Sequence, residues 1–362
     1  MKSQQPDNQV NILIAIVLSM AVLLGWSYFI AGPQLEADKI RQTAASKPAD
    51  SPASKAGAAS ESALPSASAD AVVKPASREQ AITASPRVAI DTPSLKGSIA
   101  LKGATFDDLS LKKHHETVDP KSPNIVLFSP LSQVGGYFAR LGWTSPGKQI
   151  KLPDSETVWT AKSAGPLTPS SPVTLEWSNG AGLTFRRVIT VDENYMFSIN
   201  DEVENKTAGD VALKPFARIF RFGAPSTPSV WIQHEGLLGV PGDAGLQEIT
   251  FYDAINEPAA TFTGKTGGWI GITDKYWASA IIPDQKTSYA ATLEGEAAKD
   301  ATGLPMFLAE FETEPSVVAA GSVASVKTNL YAGAKQAAII EKYQDDLGIE
   351  KFDLMIDWGW FY

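Results

Sequence analysis

The rhythm of hydrophobic and polar positions changes three times along the chain. From Ile12 to Ile30 the run ILIAIVLSMAVLLGWSYFI is apolar apart from Ser19, Gly25 and Ser27, and no charge falls between Asp7 and Glu36. At about 1.5 Å per helical residue it can cross a hydrocarbon core of roughly 30 Å. Trp26, Tyr28 and Phe29 crowd its far end, where amphipathic rings settle at a membrane–water boundary. The pattern predicts a transmembrane anchor over residues 12–30, preceded by residues 1–11. A cleaved signal peptide would have a more basic leader, a shorter apolar stretch and small residues at its exit; Trp26-Ser27-Tyr28-Phe29 closes this one. A buried helix of a soluble core is the third alternative, although such helices rarely stand alone before a linker. Lys2 precedes the run and Lys39, Arg41 and Lys47 follow it, which leaves sidedness open because long domains translocate largely regardless of such charges.

The second rhythm is an absence of pattern. Residues 31–87 read as a linker, most clearly from Gln42 to Ser77, where Ala, Ser and Pro dominate and large apolar side chains are almost missing. Such a stretch cannot bury enough surface to offset its ordering entropy, so it is expected to be a disordered tether.

From Val88 the chain alternates with period two. In Tyr195–Glu204, Tyr195, Phe197, Ile199 and Val203 share one face while Ser198, Asn200, Glu202 and Glu204 share the other, with Met196 and Asp201 as exceptions. Leu183–Val191 has the same character, and the turn cluster Asp192-Glu193-Asn194 predicts that the two runs form a hairpin. Val211–Phe222, Trp269–Thr273, Ala278–Ile282 and Val323–Tyr331 are further strand candidates. Many short strands without a long intervening helix predict a mainly β body over residues 88–333, an antiparallel sandwich in doubled or extended form. The third rhythm is helical. Ala338, Ile339, Tyr343 and Leu347 recur at helical spacing within residues 334–348, and Gly348 is a natural stop. In residues 349–362 Asp353 and Asp357 share one helix face, and Phe352, Met355, Ile356 and Trp360 another. This aromatic segment either lies in a membrane interface or docks on the sandwich. Its closing Trp358-Gly359-Trp360-Phe361-Tyr362 reads as the approach to a further apolar segment, as though the sequence were part of a longer protein.

Composition narrows the functional classes. The absence of cysteine excludes a disulfide framework, a thiolate metal site and a cysteine nucleophile. A net charge of −9 argues against a nucleic-acid partner, which needs a basic footprint, and against the body lying flat on anionic lipid.

Several motifs, in order, carry a family resemblance. Gly267-Gly268-Trp269-Ile270-Gly271-Ile272-Thr273-Asp274-Lys275-Tyr276-Trp277-Ala278, followed by Ile282-Pro283-Asp284-Gln285, resembles the signature of the large periplasmic domain of YidC, the bacterial membrane-protein insertase family. Asp91-Thr92-Pro93 with Gly97-Ser98-Ile99, Leu127-Phe128-Ser129-Pro130, Asn194-Tyr195-Met196 with Val203-Glu204-Asn205, and His234-Glu235-Gly236 keep the same family order. Leu347-Gly348 and Asp357-Trp358-Gly359-Trp360-Phe361 resemble the family's passage into its second transmembrane helix. The resemblance covers the anchor and roughly residues 88–362. It implies a β-supersandwich similar to the galactose-mutarotase fold, with C-terminal helical structure and the start of the first helix in the cytoplasm. It also implies a place in the bacterial inner membrane with the bulk of the chain in the periplasm. The implied role is accessory, without covalent chemistry or cofactor: insertion and folding of nascent inner-membrane proteins, alone or with the Sec translocon, SecD–SecF included. The insertase bundle itself would begin beyond Tyr362. On this reading Trp26, Tyr28, Phe352, Ile356, Trp358, Trp360 and Phe361 meet the bilayer interface, while Ile339, Ile340, Tyr343 and Leu347 couple the body to the membrane part.

Two other readings compete. His234-Glu235 is a potential acid–base pair on a sugar, since mutarotase-like enzymes use His and Glu, so a membrane-tethered sugar-binding protein or epimerase is the enzymatic alternative. A periplasmic holdase is another. His114-His115 beside Glu116 falls at a strand end, where neighbours point to opposite faces, so a shared metal is disfavoured. Gly264–Gly268 reads as a turn and not a phosphate cradle, and Asp201, Glu202, Glu204, Asp345 and Asp346 read as solvated carboxylates. Trp231, Trp269 and Trp277 are expected in the core ahead of a ligand groove.

Overall fold

The computed structural model describes residues 77–147, 150–225, 233–298 and 303–357. The Ile12–Ile30 run with Trp26 and Tyr28, the tether as far as residue 76, Trp231, and Trp358, Trp360 and Phe361 lie outside them. No helix among the described residues is long and apolar enough to cross a membrane.

Two large antiparallel sheets build the body. The ten-stranded sheet runs in the order Arg87–Asp91, Leu95–Ala100, Thr105–His115, Tyr137–Thr144, Val211–Phe222, Met306–Thr313, Tyr289–Glu296 and Ala260–Lys265, with Asn124–Phe128 and Ser316–Val318 paired off this path. The nine-stranded sheet runs Gln247–Thr250, Gly236–Pro241, Gly268–Thr273, Trp277–Pro283, Val323–Ala334, Met196–Asn205, Leu183–Val191, Val173–Ser178 and Thr160–Ala161. Alternation places Leu183, Phe185, Ile189 and Val191 in the core, and the predicted hairpin pairs Leu183 with Asn205 through to Val191 with Phe197. The inner faces of both sheets merge into one core, where Phe106 of one sheet meets the Phe197 ring of the other edge-on at 5.4 Å. The molecule is thus the large β-sandwich that the alternation and turn signals predict.

Asp201, the exception in its strand, corrects the expectation of a solvated carboxylate. It is buried on the core face and receives two hydrogen bonds from Arg187, Nε at 2.6 Å and Nη2 at 2.9 Å. A charge removed from water needs a partner with good geometry, and Arg187 supplies it from the matching register position of the neighbouring strand. Glu204 pairs instead with Arg186 and Lys206 on the half-buried outer face.

Some strands escape the alternation rule because both their faces are covered. Met306–Thr313 begins Met-Phe-Leu-Ala, buried on both faces, because a second small cluster of Phe138, Phe220, Met306 and Leu308 covers the outer side of the ten-stranded sheet. Burial on both sides erases the period-two signal. Tyr289–Glu296 and Ala260–Lys265 do alternate in burial, yet they are not among the strands predicted from the sequence pattern. The ordered body starts earlier than Val88 as well: Ser77 caps a short helix, α1 (Arg78–Thr83), through a reciprocal pair of hydrogen bonds with Gln80. Arg78 ties this helix to Asp108. A second short helix, α2 (Phe251–Asn256), succeeds the edge strand Gln247–Thr250, and a third, α3 (Ala337–Leu347), succeeds the last strand.

Candidate functional site: the docked C-terminal segment

The last strand delivers the chain to one pole of the sandwich at Ala334. Lys335 and Gln336 turn it, and α3 runs back over the outer face of the nine-stranded sheet. That face is prepared for it. Tyr331 and Gly333 point outward by register, opposite the core-facing Leu330 and Ala332. A Cβ on Gly333 would stand 2.2 Å from the Tyr195 ring, so glycine lets that ring lie flat on the strand. Tyr343 of α3 meets Tyr331 edge-on at 6.0 Å. Its hydroxyl accepts the Tyr195 N–H at 3.1 Å and donates to Asp192. Burial, reinforced by Asp192, pushes the Tyr343 phenol well above its ordinary range, so it stays a donor.

Gly348 ends α3 in the left-handed conformation, and the Gly348 and Ile349 N–H groups both close on the Gln344 carbonyl. The chain then crosses the residues of the Gly-Gly-Trp motif. Gln285 accepts from the N–H groups of Gly268 at 2.9 Å and Glu350 at 3.3 Å, joining strand and segment. The Trp269 indole donates to the Lys351 carbonyl at 3.1 Å, and Phe352 packs edge-on against Trp269 and Tyr331 at 5.4 and 5.6 Å. Gly268 has φ +79°, and a Cβ there would meet the Val240 carbonyl at 1.8 Å, so the motif requires glycine. A 3₁₀ turn, Phe352–Met355, brings the chain back to the pole it left, where the Asp357 carboxylate accepts the His234 N–H at 2.9 Å. Lys335 and Asp357, departure and return, line one cleft of about 160 Å³ together with His234, Glu248 and Thr273. Burial pulls the Lys335 ammonium below its usual range, and Asp274, Asp357, Glu235 and Glu248 oppose that shift.

The predicted site residues separate in the structure. Ile340 and Tyr343 are buried and Ile339 is half-buried, but Leu347 is 38% exposed and does not belong to the packed stripe. The turn at Gly348 hands its place to Ile349, which is buried. Phe352 is fully buried and Ile356 half-buried. A ring enclosed by Trp269 and Tyr331 offers nothing to a bilayer, so of the two readings of this segment Phe352 takes the docked one. Ile349, Met355 and Trp269 belong to the packed seam although the sequence pattern does not mark them as site residues. The apolar residue directly after a helix-ending glycine is the signal that points to Ile349.

His234 and Glu235 hold a turn. The His234 ring donates from Nε2 to the Leu237 carbonyl at 2.9 Å, and Glu235 accepts the Lys275 N–H at 3.1 Å. The adjoining cleft is open to solvent and has essentially no interior room even for a water molecule, whereas ligand pockets ordinarily begin at roughly 300 Å³. His114 and His115 diverge: the first contacts Tyr195 and Trp277, the second the Ser122 carbonyl. Among the described residues no group of three or more His, Asp or Glu is placed to hold a metal ion.

A sandwich of this size, with its C-terminal segment clasped to an outer face, is a β body that grips its own chain near Asp357. The family model described as the YidC periplasmic domain matches residues 87–362, and the chain belongs to that family. The membrane protein insertase YidC of Methylobacterium radiotolerans is 45% identical over 380 residues, which cover 98% of this chain and 60% of that protein. The insertase YidC of Rhizobium meliloti is 42% identical, covering 98% and 59% respectively. The chain therefore spans about 60% of the length of such relatives. Among solved structures, a galactose mutarotase related enzyme from Lactobacillus acidophilus is 11% identical with a TM-score of 0.45, covering 68% of this chain and 97% of that one. A galactose mutarotase-like protein from Lactobacillus casei is 9% identical with a TM-score of 0.44, covering 68% and 100%. At these identities no chemistry transfers from either.

Proposed function

We propose that the chain is the anchor and periplasmic body of a bacterial inner-membrane insertase, with Ile12–Ile30 as the first membrane crossing and residues 31–76 as a tether. Its work is non-covalent. The body supports insertion and folding of nascent inner-membrane proteins, alone or beside the Sec translocon, with SecD–SecF as partners. The docked segment, through Ile339, Ile340 and Tyr343, couples the sandwich to the membrane part of the insertase beyond Asp357, and Leu347 serves as an exposed contact. Ile356, with Trp26, Tyr28, Trp358, Trp360 and Phe361, meets the interface.

One observation carries this reading: the segment leaves the sandwich at Lys335 and returns beside it at Asp357, so the body grips the chain just before the aromatic stretch WGWFY. The test replaces Ile339, Ile340 and Tyr343 with serine in the full-length protein and measures insertion of a reporter into membrane vesicles. Impaired insertion by a body that still melts cooperatively is the expected result. Insertion at the unaltered rate, with the segment shown by proteolysis to be released, would refute the coupling role.

A further inference from the structure

Strand ends sort the turns of this body onto two poles. At one, the strand Val323–Ala334 finishes beside the start of Trp277–Pro283, with Ala334 opposite Trp277. The Lys335 N–H donates to the Tyr276 carbonyl at 2.9 Å. His234 and Glu235, adjacent in the chain, bind Asp357 and the Lys275 backbone respectively, so the chain exit and the Asp274–Tyr276 turn are joined through two consecutive residues. His114, near the end of the strand Thr105–His115, sets its ring 5.0 Å from that of Trp277, which brings the turn after His115 to the same pole. Arg221, at the end of the strand Val211–Phe222, pairs with Asp274, and Phe222 donates to the Gly136 carbonyl, which adds the turn Pro130–Gly135. Three turns therefore surround the exit at Asp357.

Each carries an apolar side chain in water. Val118 is fully exposed, Leu131 and Val134 are 41% and 49% exposed, and Tyr276 is 57% exposed with the Lys275 ammonium 5.0 Å above its ring. A tyrosine under a lysine head is chemistry that suits a boundary apolar on one side and wet on the other. Exposure alone does not choose this pole, since Val317 and Val323 are exposed at the other. Position chooses it: the residues after Asp357 are Trp358, Trp360, Phe361 and Tyr362, interspersed only by Gly359. Lys113, Lys121 and Lys275 are offset by Glu116, Asp119 and Glu235, a balance that fits zwitterionic headgroups better than a strongly anionic surface.

We propose that this pole is the lipid-facing end of the body, with the turns at Val118, Leu131–Val134 and Tyr276 seated among the headgroups of the bilayer that the residues after Asp357 approach. The proposal rests on the membrane attachment proposed for the chain and adds the orientation of the body and the residues that touch lipid.

The cysteine-free sequence makes the test clean. Single variants Val118→Cys, Tyr276→Cys and Val323→Cys of the whole chain carry a nitroxide and are reconstituted into vesicles composed mainly of phosphatidylethanolamine. Flotation reports attachment, and relaxation by a water-soluble nickel chelate reports solvent access. The expected result is flotation with several-fold protection of labels at 118 and 276 but none at 323. Val134→Cys replaces the second reporter if labelling at 276 disturbs Trp277. Flotation with all labels equally open to the chelate, or with 323 the protected one, overturns the proposal while leaving attachment intact. Failure to float removes the attachment itself, and the proposal with it.

Discussion

Tyr343 and Asp192 are 151 residues apart in the chain, yet the tyrosine hydroxyl donates to the aspartate carboxylate while accepting the Tyr195 N–H. The contact fixes α3 to the turn between two strands of the nine-stranded sheet. Tyr343→Phe keeps the ring and deletes both hydrogen bonds, leaving a buried backbone N–H without an acceptor. A loss of about 1–3 kcal/mol is expected in chemical denaturation. Leu347→Ala, on the exposed side of the same helix, should stay within about 0.5 kcal/mol. Equal effects would show that α3 is not held where it lies.

The seam beyond α3 depends on Trp269. Trp269→Phe preserves most of the buried area but removes the indole donor to Lys351, and the smaller ring loosens its edge-on contact with Phe352. A destabilisation of about 1–3 kcal/mol should accompany faster protease cleavage within residues 349–357, because the hydrogen bond and part of the packing are lost together. Cleavage no faster than in the unaltered chain would mean the segment is held mainly by Tyr343 and Gln285.

Much of this architecture is legible in the sequence, and the parts that are not share physical causes. The hairpin of Leu183–Val191 with Met196–Asn205 is readable because one face is wet and the turn between them is Asp-Glu-Asn. Met306–Thr313 is unreadable because both its faces are covered. Asp201 reads as a defect until Arg187 is placed opposite it, a pairing set by register that no local pattern reveals. At the candidate site, Ile340 and Tyr343 obey helical spacing. Leu347 obeys it too but falls where Gly348 has already turned the chain, so periodicity outruns the element that justified it. Phe352 cannot be assigned to lipid or protein from its own segment, because its partners Trp269 and Tyr331 lie far away in the chain.

Acid should loosen the pole at which α3 starts. The His114 Nε2 lies 3.3 Å from the Tyr195 hydroxyl and 3.4 Å from the Gln336 amide, both able to donate to it. Burial first, then Lys113 and His115, lower the pKa of this imidazole below its ordinary value. With the folded value depressed, the native state binds fewer protons than the unfolded chain. The contribution is complete above the unfolded value of about 6.5 and is lost as pH falls below it. The Tm is expected to drop between neutral pH and mild acid, and His114→Gln should flatten that part of the profile. An identical slope in the variant would assign the effect to other groups.

The Arg187–Asp201 pair distinguishes stability from specification. Its guanidinium is fully buried, lies 5.6 and 5.5 Å from the rings of Trp143 and Trp159, and reaches the Ala104 carbonyl at 3.4 Å. Asp201→Ala strands that cation among aromatic rings, and a loss of about 3–5 kcal/mol is expected, the range for breaking a buried pair on one side. Replacing both partners at once, Arg187→Met with Asp201→Leu, removes the uncompensated charge and restores apolar volume. Such replacements are often neutral or stabilising, so the double variant should be markedly more stable than Asp201→Ala in urea unfolding. If it also matches or exceeds the unaltered chain, the pair does not stabilise the sandwich in net terms, and its role lies in register: Arg187 opposite Asp201 is the alignment of the hairpin that satisfies both charges, and a slip of one residue would turn Phe185, Ile189, Phe197 and Ile199 out of the core. A double variant as unstable as the single one would instead make the ion pair, with its flanking tryptophans, a true energetic support of the core.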